Sequence, residues 1–410
     1  ECHLLAAQRV LDGLQDLGGI YVKLGQHLSA MKYILPQEWT QTLAVLQDRC
    51  DPSSRQELER LFYQDCGQRM DDVFDEVDWN RPLGVASLAQ VHKGRLRDSN
   101  QWVAIKLQHP RLDEFCHMDL QTVALITRWI KWWFPDFGFE WVWQELQESL
   151  PQELDFCLEA KNAKQVQANF AHTKSALVVP AIIWAQRRII CMEYIEGARV
   201  DNLSYMKDHG IDPNKVSLEI TRIFSKMMFL DGFVHCDPHP GNLLIRPNAN
   251  KTQGYNFDVV LLDHGLYRQL TTDMRTDFAQ LWTALIRGDE PAIETYSLRV
   301  GCRPGYHRLF ASLLTGREWH TIMASDLATA RTSTEIKRVS GRSKLHLHRV
   351  AAILACLPRI VFLLLKTSDL VRHLNETLLS SKAGAQRTYV TMAQFCASAV
   401  WIDLRQSLAN

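Results

Sequence analysis

The sequence predicts an α+β protein of two unequal lobes preceded by a helical extension. Three textures along the 410 residues carry that prediction. The opening stretch has helical periodicity, a segment from Arg81 alternates apolar residues with turn formers, and from Asp212 the helical period returns. A β-rich stretch followed by a helical one builds a small sheet-bearing lobe and a larger helical lobe. The expected division is 1–80 for the helical extension, 81–196 for the small lobe and 197–410 for the large lobe.

Residues 3–48 read as helical because Leu11, Leu14 and Leu17, then Val22, Leu28 and Met31, recur at roughly helical spacing. Pro36 and Asp51-Pro52-Ser53 punctuate them, and 54–76 reads as another amphipathic helix. Leu83 to His92, a polar turn at Arg97-Asp98-Ser99-Asn100, and Trp102 to Lys106 predict a β-hairpin. A helix is expected from Asp113 to Trp133. A second is expected to open at Pro151, where a first-turn proline belongs, and to run to about Ala168. Val178 to Glu193 predicts two strands joined near Gln186-Arg187. Beyond Asp212 only Phe233 to Leu266 breaks the helical pattern, with short apolar strands flanking polar loops.

A chain with 46% hydrophobic and 22% charged residues folds around a core. Basic and acidic residues balance at 46 each, so no global field draws the chain to nucleic acid. The ten Cys are scattered, with no CxxC pair and no zinc-ligand spacing, and read as small buried hydrophobes in a reduced chain. The apolar run Val350 to Leu365 is broken by Pro358 and Arg359, falls short of the ~20 residues a spanning helix needs, and reads as a buried helix. Glu1 opens in mid-helix pattern without an initiator Met, so the chain reads as a piece of a longer one, with any targeting segment outside it. The basic stretch Lys337, Arg338, Arg342, Lys344, His346, His348 and Arg349 reads as a solvated loop or a contact for an anionic lipid surface. Trp129-Ile130-Lys131-Trp132-Trp133-Phe134 reads first as core packing and second as a membrane-interface cluster.

The strongest chemical signal is His235-Cys236-Asp237-Pro238-His239-Pro240-Gly241-Asn242. An Asp followed five residues later by an Asn is kinase catalytic-loop spacing: the Asp can orient a nucleophile, and the Asn carbonyl can ligate Mg²⁺ beside ATP phosphates. A solvated turn is the competing reading, because Asp, Pro, Gly and Asn all form turns. Downstream, Val259-Val260-Leu261-Leu262-Asp263-His264-Gly265 places an Asp-X-Gly after an apolar strand, the pattern of a metal-binding element. Upstream, Val103-Ala104-Ile105-Lys106 matches a strand whose Lys meets the α and β phosphates. It follows Gly84-Val85-Ala86-Ser87, small residues that let backbone N–H groups approach phosphate oxygens. The partner carboxylate for Lys106 is sought among Glu153, Asp155 and Glu159. Asp155 and Glu159, four apart, are expected on one helix face.

Small-residue loop, Lys, helical acid, Asp-x4-Asn and Asp-X-Gly, in that order, resemble the UbiB (aarF-domain-containing, ADCK) family of atypical kinases, in its mitochondrial subgroup. Lys23-Leu24-Gly25-Gln26 resembles that family's KxGQ motif, Glu153-Leu154-Asp155 its ExD motif, and the Asp237 loop its HxDPHPGN motif. Gly84 and Val85 depart from its alanine-rich loop, and Ala89 stands where many members have Gly. His239 replaces the catalytic-loop Lys of ordinary kinases, and no Ala-Pro-Glu follows Asp263.

The resemblance implies a two-lobed protein-kinase-like fold with ATP between the lobes, its adenine near Glu193, Tyr194 and Ile195. It implies that Lys106, held by Glu159, contacts phosphates, that Asn242 and Asp263 hold Mg²⁺, and that Asp237 orients the nucleophile. Lys23 and Gln26 would reach Glu153 and Asp155 as a regulatory lid against polypeptide substrates. The implied role is ATP-dependent support of coenzyme Q or lipid homeostasis at the mitochondrial inner membrane, with a lipid or quinone-like partner. Three other activities stay open: a protein kinase acting in trans, a small-molecule or lipid kinase, and a nucleotide-binding scaffold without catalysis.

Overall fold

In the computed structural model, which describes residues 2–30, 37–47, 52–110, 112–133, 140–249, 254–327, 329, 357–379 and 382–409, the opening helical stretch divides at Gly18. Gly18 has a φ of 68°, a left-handed conformation that glycine adopts without a Cβ penalty. It separates α1 (Cys2–Leu17) from α2 (Gly19–Ala30), and α3 (Gln37–Leu43) follows, running into a 3-10 turn (Ala44–Gln47). Leu11, Leu14, Val22, Leu43 and Leu46 form their shared core. Gly25 faces that core closely: a Cβ there would lie 2.2 Å from Leu46 Cδ1 and 2.9 Å from Leu14 Cδ1.

The chain forms two compact units, one of residues 1–165 and 180–195, the other of 166–179 and 196–410. In the first unit α4 (Arg55–Cys66) begins with a capping box. The Ser54 side chain accepts from the Glu57 N–H, and the Glu57 carboxylate accepts from the Ser54 N–H at 3.1 Å. The single helix expected over 54–76 stops at Gly67, a left-handed C-cap with φ 68°. A one-turn α5 (Met70–Val73) follows, and then the chain enters the sheet as β1 (Phe74–Val77).

The sheet is antiparallel in the order β1-β3-β4-β7-β6, with β2 (Gly84–Val85) pairing β3 (Ala89–Leu96) from the side. β4 (Trp102–Gln108) closes a hairpin with β3 across the expected polar turn, where Asn100 takes a φ of 56°. β6 (Ile182–Ala185) and β7 (Ile189–Glu193) form the second predicted hairpin. Leu58, Leu61 and Phe62 of α4 pack with Val103, Ile105 and Leu107 of β4 and Ile189 and Cys191 of β7.

α6 (Leu112–Trp133) and α7 (Glu140–Glu153) pack through Cys116, Leu120, Leu146 and Leu150. Pro151 does not open a helix: it lies in the last turn of α7. The next helix, α8 (Phe156–Phe170), begins at Asp155, whose Oδ1 accepts from the N–H groups of Cys157 at 2.9 Å and Leu158 at 3.4 Å. The core-packing reading of the tryptophan run is overturned as well. Cys116, Leu120 and Val123 are buried, but Trp129, Trp132 and Trp133 are 62%, 76% and 71% exposed, with Met118, Leu125 and Ile126 also exposed. Phe134 lies outside the described residues.

In the second unit β5 (Leu177–Val178), β8 (Ala198–Arg199), β10 (Leu243–Pro247) and β11 (Phe257–Leu261) form one sheet in the order β5-β11-β10-β8. β9 (Phe233–His235) and β12 (Tyr267–Gln269) pair separately. The helices are α9 (Leu203–Asp208), α10 (Pro213–Ser225), α11 (Thr272–Arg287), α12 (Glu290–Arg299), α13 (His307–Thr315), α14 (Trp319–Met323), α15 (Arg359–Leu378) and α16 (Lys382–Ala409). α10 passes through a π-helical turn (Lys226–Asp231) that ends at Gly232, just before β9.

Of the apolar run, the described part begins at Leu357. Pro358 stands at the N-cap of α15, and Val361, Leu363, Leu364 and Leu365 are buried. Val350 to Cys356 and the basic stretch from Lys337 to Arg349 lie outside the described residues. Among the described residues no helix is long and apolar enough to cross a membrane. The described cysteines are all free, and Cys116, Cys191, Cys236, Cys302 and Cys396 are buried.

Candidate active site

Lys106 lies on β4, a central strand, with its side chain on the side facing α8. Its Nζ is 2.8 Å from both Glu159 oxygens and 5.0 Å from the Phe156 ring centroid. The Glu159 side chain is 3% exposed and that of Lys106 16%, so the pair is largely withdrawn from water. Asp155 is not the second half of a carboxylate face beside Glu159, because its side chain is spent on the N-cap of α8.

The loop between β2 and β3 is held at two successive residues. His109 Nε2 donates to the Ala86 carbonyl at 2.9 Å while its Nδ1 lies 2.8 Å from Ser53 Oγ, an arrangement that fits the neutral ring. Burial pushes the His109 pKa down, against the opposing pull of the Ala86 carbonyl. Ser87 Oγ donates to Gln26 Oε1 at 3.3 Å. The Ala86 N–H is used inside the turn, donating to the Ala89 carbonyl at 2.8 Å.

Lys23 on α2 pairs with Glu153 at the end of α7, Nζ to Oε2 2.5 Å. Gln26 departs from the expected carboxylates: its Nε2 donates to the Leu46 carbonyl at 2.8 Å and its Oε1 meets Ser87. At the far end of β7, Glu193 accepts from the Ala181 N–H at 3.2 Å, and the Tyr194 ring lies 4.2 Å from Lys93 Nζ. Ile195 is buried.

In the second unit His235 ties the Asp237 loop to the Asp263 segment. The Asp237 N–H donates to His235 Nδ1 at 3.0 Å, which leaves Nε2 to donate to the Asp263 carbonyl at 2.9 Å. Burial lowers the His235 pKa, with Asp237 and Asp263 opposing, in keeping with the neutral tautomer this pattern needs. Asn242 Nδ2 donates to the Asp237 carbonyl at 3.1 Å, using one of the amide's two N–H donors and fixing the side chain's orientation. The Leu262 N–H donates to the Asn242 carbonyl at 3.0 Å, and Asp263 Oδ1 accepts from the Gly265 N–H at 2.9 Å. Every residue of β11 is buried, so this strand delivers Asp263 from a fixed base. His264 is buried too: Nε2 donates to the Leu261 carbonyl at 3.1 Å and Nδ1 accepts from the Tyr267 hydroxyl at 2.9 Å.

Among the described residues no group of three or more His, Cys, Asp and Glu side chains gathers as a metal cluster. A cation here would depend on the hard oxygens of Asn242 and Asp263, completed by phosphate and water, which is the donor set Mg²⁺ takes. Lys366, which no motif singles out, lies 2.9 Å from Asp237 Oδ1, and His239 Nε2 lies 3.9 Å from Asp237 Oδ2.

Comparison with known proteins bears on this arrangement. Residues 45–297 match the family model of the ABC1 atypical kinase-like domain. The ABC1 family protein MCP2 homolog of Schizosaccharomyces pombe is 43% identical over all of this chain and 74% of its own length. The ABC1 family protein MCP2 of Saccharomyces cerevisiae is 40% identical over 98% of this chain and 72% of its own. The AarF domain-containing protein kinase 1 of Mus musculus is 38% identical over 98% of this chain and 75% of its own. Among solved structures, the Rv3197–erythromycin complex of Mycobacterium tuberculosis aligns over 85% of this chain and 92% of that one, with TM-score 0.53 and 20% identity, a likeness of fold.

Proposed function

The chain belongs to the ABC1 atypical kinase-like family, and from that premise we propose that it binds Mg·ATP and transfers the terminal phosphoryl group to water or to a small lipid-like hydroxyl. The observation that supports this most is the His235 relay. One buried neutral imidazole ties the backbone of Asp237 to that of Asp263, so the transfer residue and the metal residue are held in one frame.

Lys106, held by Glu159, contacts the α and β phosphates. The loop Gly84, Val85, Ala86 and Ser87 lies over the phosphates, and Glu193, Tyr194 and Ile195 line the adenine. Asn242 and Asp263 would hold Mg²⁺, which would supply charge neutralisation at the phosphates. Asp237 orients the attacking oxygen and takes its proton as the new P–O bond forms and the bond to the ADP oxygen breaks. Gln26 restrains the loop from α2 while Lys23 ties the same helix to Glu153, and together they act as a regulatory contact.

The biological setting we propose is coenzyme Q or lipid homeostasis at the mitochondrial inner membrane. The exposed Trp129, Trp132 and Trp133, with the exposed Lys131 between them, support contact with a bilayer surface. Thermal-shift titration with Mg·ATP tests the nucleotide reading. Asp263→Asn is expected to lose most of the Mg·ATP-induced shift while keeping the wild-type melting temperature without nucleotide, and an unchanged shift would remove Asp263 from the metal site.

A further inference from the structure

Asp237 meets a cation from a distant helix. Lys366 Nζ, on α15, lies 2.9 Å from Asp237 Oδ1, with the lysine side chain only 15% exposed. The next residue, Thr367, is fully buried, and its hydroxyl donates to the His235 carbonyl at 3.4 Å. Two consecutive residues therefore fix α15 against the catalytic loop, and the helix rotation that seats Thr367 also determines where Lys366 reaches. Buried Val361, Leu364 and Leu365 give the same helix its apolar seat. This differs from an exposed pair of long flexible side chains, which adds little.

The residue two after Asp237, a lysine in ordinary kinases, is His239. Its Nδ1 accepts from the Gly241 N–H at 3.0 Å, closing the 3-10 turn Pro240–Asn242, so the ring is committed to its own loop. Its other nitrogen is 3.9 Å from Asp237 Oδ2, beyond hydrogen-bond reach. A carboxylate that works beside a polyphosphate meets like-charge repulsion, and a cation at hydrogen-bond distance offsets it.

We propose that Lys366 is the positioning residue of Asp237. It holds the carboxylate in the orientation that receives the nucleophile's proton, and it offsets that charge against the phosphoryl group being transferred. The inference rests on the phosphoryl-transfer reading given above. Lys366 acts through Asp237 and is no part of nucleotide binding.

The test is a double-mutant cycle read by two methods, steady-state ATP turnover and the melting shift induced by Mg·ATP. The proteins are wild type, Lys366→Met, Lys366→Arg, Asp237→Asn and Lys366→Met/Asp237→Asn. Lys366→Met is expected to lower kcat by about 10²-fold, with KM and the Mg·ATP shift within about twofold of wild type. Lys366→Arg recovers about tenfold of that loss, because a cation returns to the same carboxylate. In the Asp237→Asn background, Lys366→Met costs less than about twofold. Should the methionine variant melt early, Lys366→Gln, which keeps a polar tip, takes its place. Unchanged or raised kcat in the single variant overturns the inference and leaves the nucleotide reading standing, and so does an equal loss in both backgrounds. A wild type that shows the Mg·ATP shift without turnover sensitive to Asp237→Asn removes the transfer reading itself, and this inference with it.

Discussion

Replacing Lys106 with Met should separate the structural share of the Lys106–Glu159 pair from its share in nucleotide binding. Both Glu159 oxygens meet the ammonium at 2.8 Å, and the glutamate side chain is almost fully buried. Removing one partner of a buried pair costs about 3–5 kcal/mol, because the other charge stays behind without its counter-ion. The lysine keeps 16% exposure, so the lower end of that range, about 3 kcal/mol, applies. For a unit of this size each kcal/mol moves the melting temperature by about 2–4 °C, so Lys106→Met should melt about 6–12 °C early. Adding Glu159→Gln removes the stranded charge and should restore all but about 1 kcal/mol of stability, a recovery of about 2 kcal/mol that, with Glu159→Gln measured alone, completes the cycle. Mg·ATP binding should be lost in both variants, because the phosphate contact is gone in each. Differential scanning calorimetry with and without Mg·ATP reads both effects. Additive stability losses would show that the pair is not coupled, and a surviving Mg·ATP shift in the double variant would take Lys106 away from the phosphates.

Two further outcomes follow from features on the first unit. Lys23→Ala breaks a pair with Glu153 whose side-chain exposures, 16% and 9%, are like those of the Lys106 pair, so it should melt about 6–12 °C early and, below its melting transition, change ATP affinity or turnover by about threefold or more; wild-type affinity and turnover would sink the regulatory contact. Trp129→Ser/Trp132→Ser/Trp133→Ser should lower co-sedimentation with cardiolipin-containing vesicles by about tenfold and leave the melting temperature unchanged, since all three rings are already in water; equal vesicle binding would move any membrane contact elsewhere.

What could be read in the sequence was the local part. The hairpins of β3–β4 and β6–β7 carry period-two alternation and polar turns, and the loop from His235 to Asn242 carries its spacing on its face. Two boundary errors had local signals that competed with each other. Gly67 was available as a stop for α4, and Asp155 was a better helix start than Pro151 because its carboxylate can cap two N–H groups and a proline supplies no side-chain acceptor. The tryptophan run failed for a different reason. Aromatic composition favours burial, but which face of α6 is covered depends on what packs against Cys116, Leu120 and Val123, and no window of sequence contains that. Lys366 was invisible for the same reason: its partner is set by how α15 seats, and one lysine in an apolar helix carries no period or motif.

The departure at Gln26 changes what the Lys23-Leu24-Gly25-Gln26 motif does. Residues 23 and 26 are three apart and share one face of α2, while Gly25 points to the opposite side. On that opposite side any Cβ would collide with Leu14 and Leu46, so glycine lets the helix lie close on α1 and the turn after α3. The polar face then reaches three separate elements, Lys23 the end of α7, and Gln26 both the Leu46 carbonyl in the turn after α3 and the loop at Ser87. His109 holds the same loop at Ala86, one residue away, through a ring buried enough to stay neutral. A loop pinned from two sides at adjacent residues has little conformational entropy left to lose when it meets phosphate. Its Ala86 N–H is already spent within the turn, so the loop contributes a preset shape more than a row of N–H donors. Gly84 is thus followed by β-branched Val85 without penalty: the pair forms a short strand against Gln90 and Val91, and the proposed approach to phosphate falls to Ala86 and Ser87. The motif on α2 and the departures at Gly84 and Val85 are two halves of one arrangement, in which a helix sets the shape of the loop proposed to meet the nucleotide.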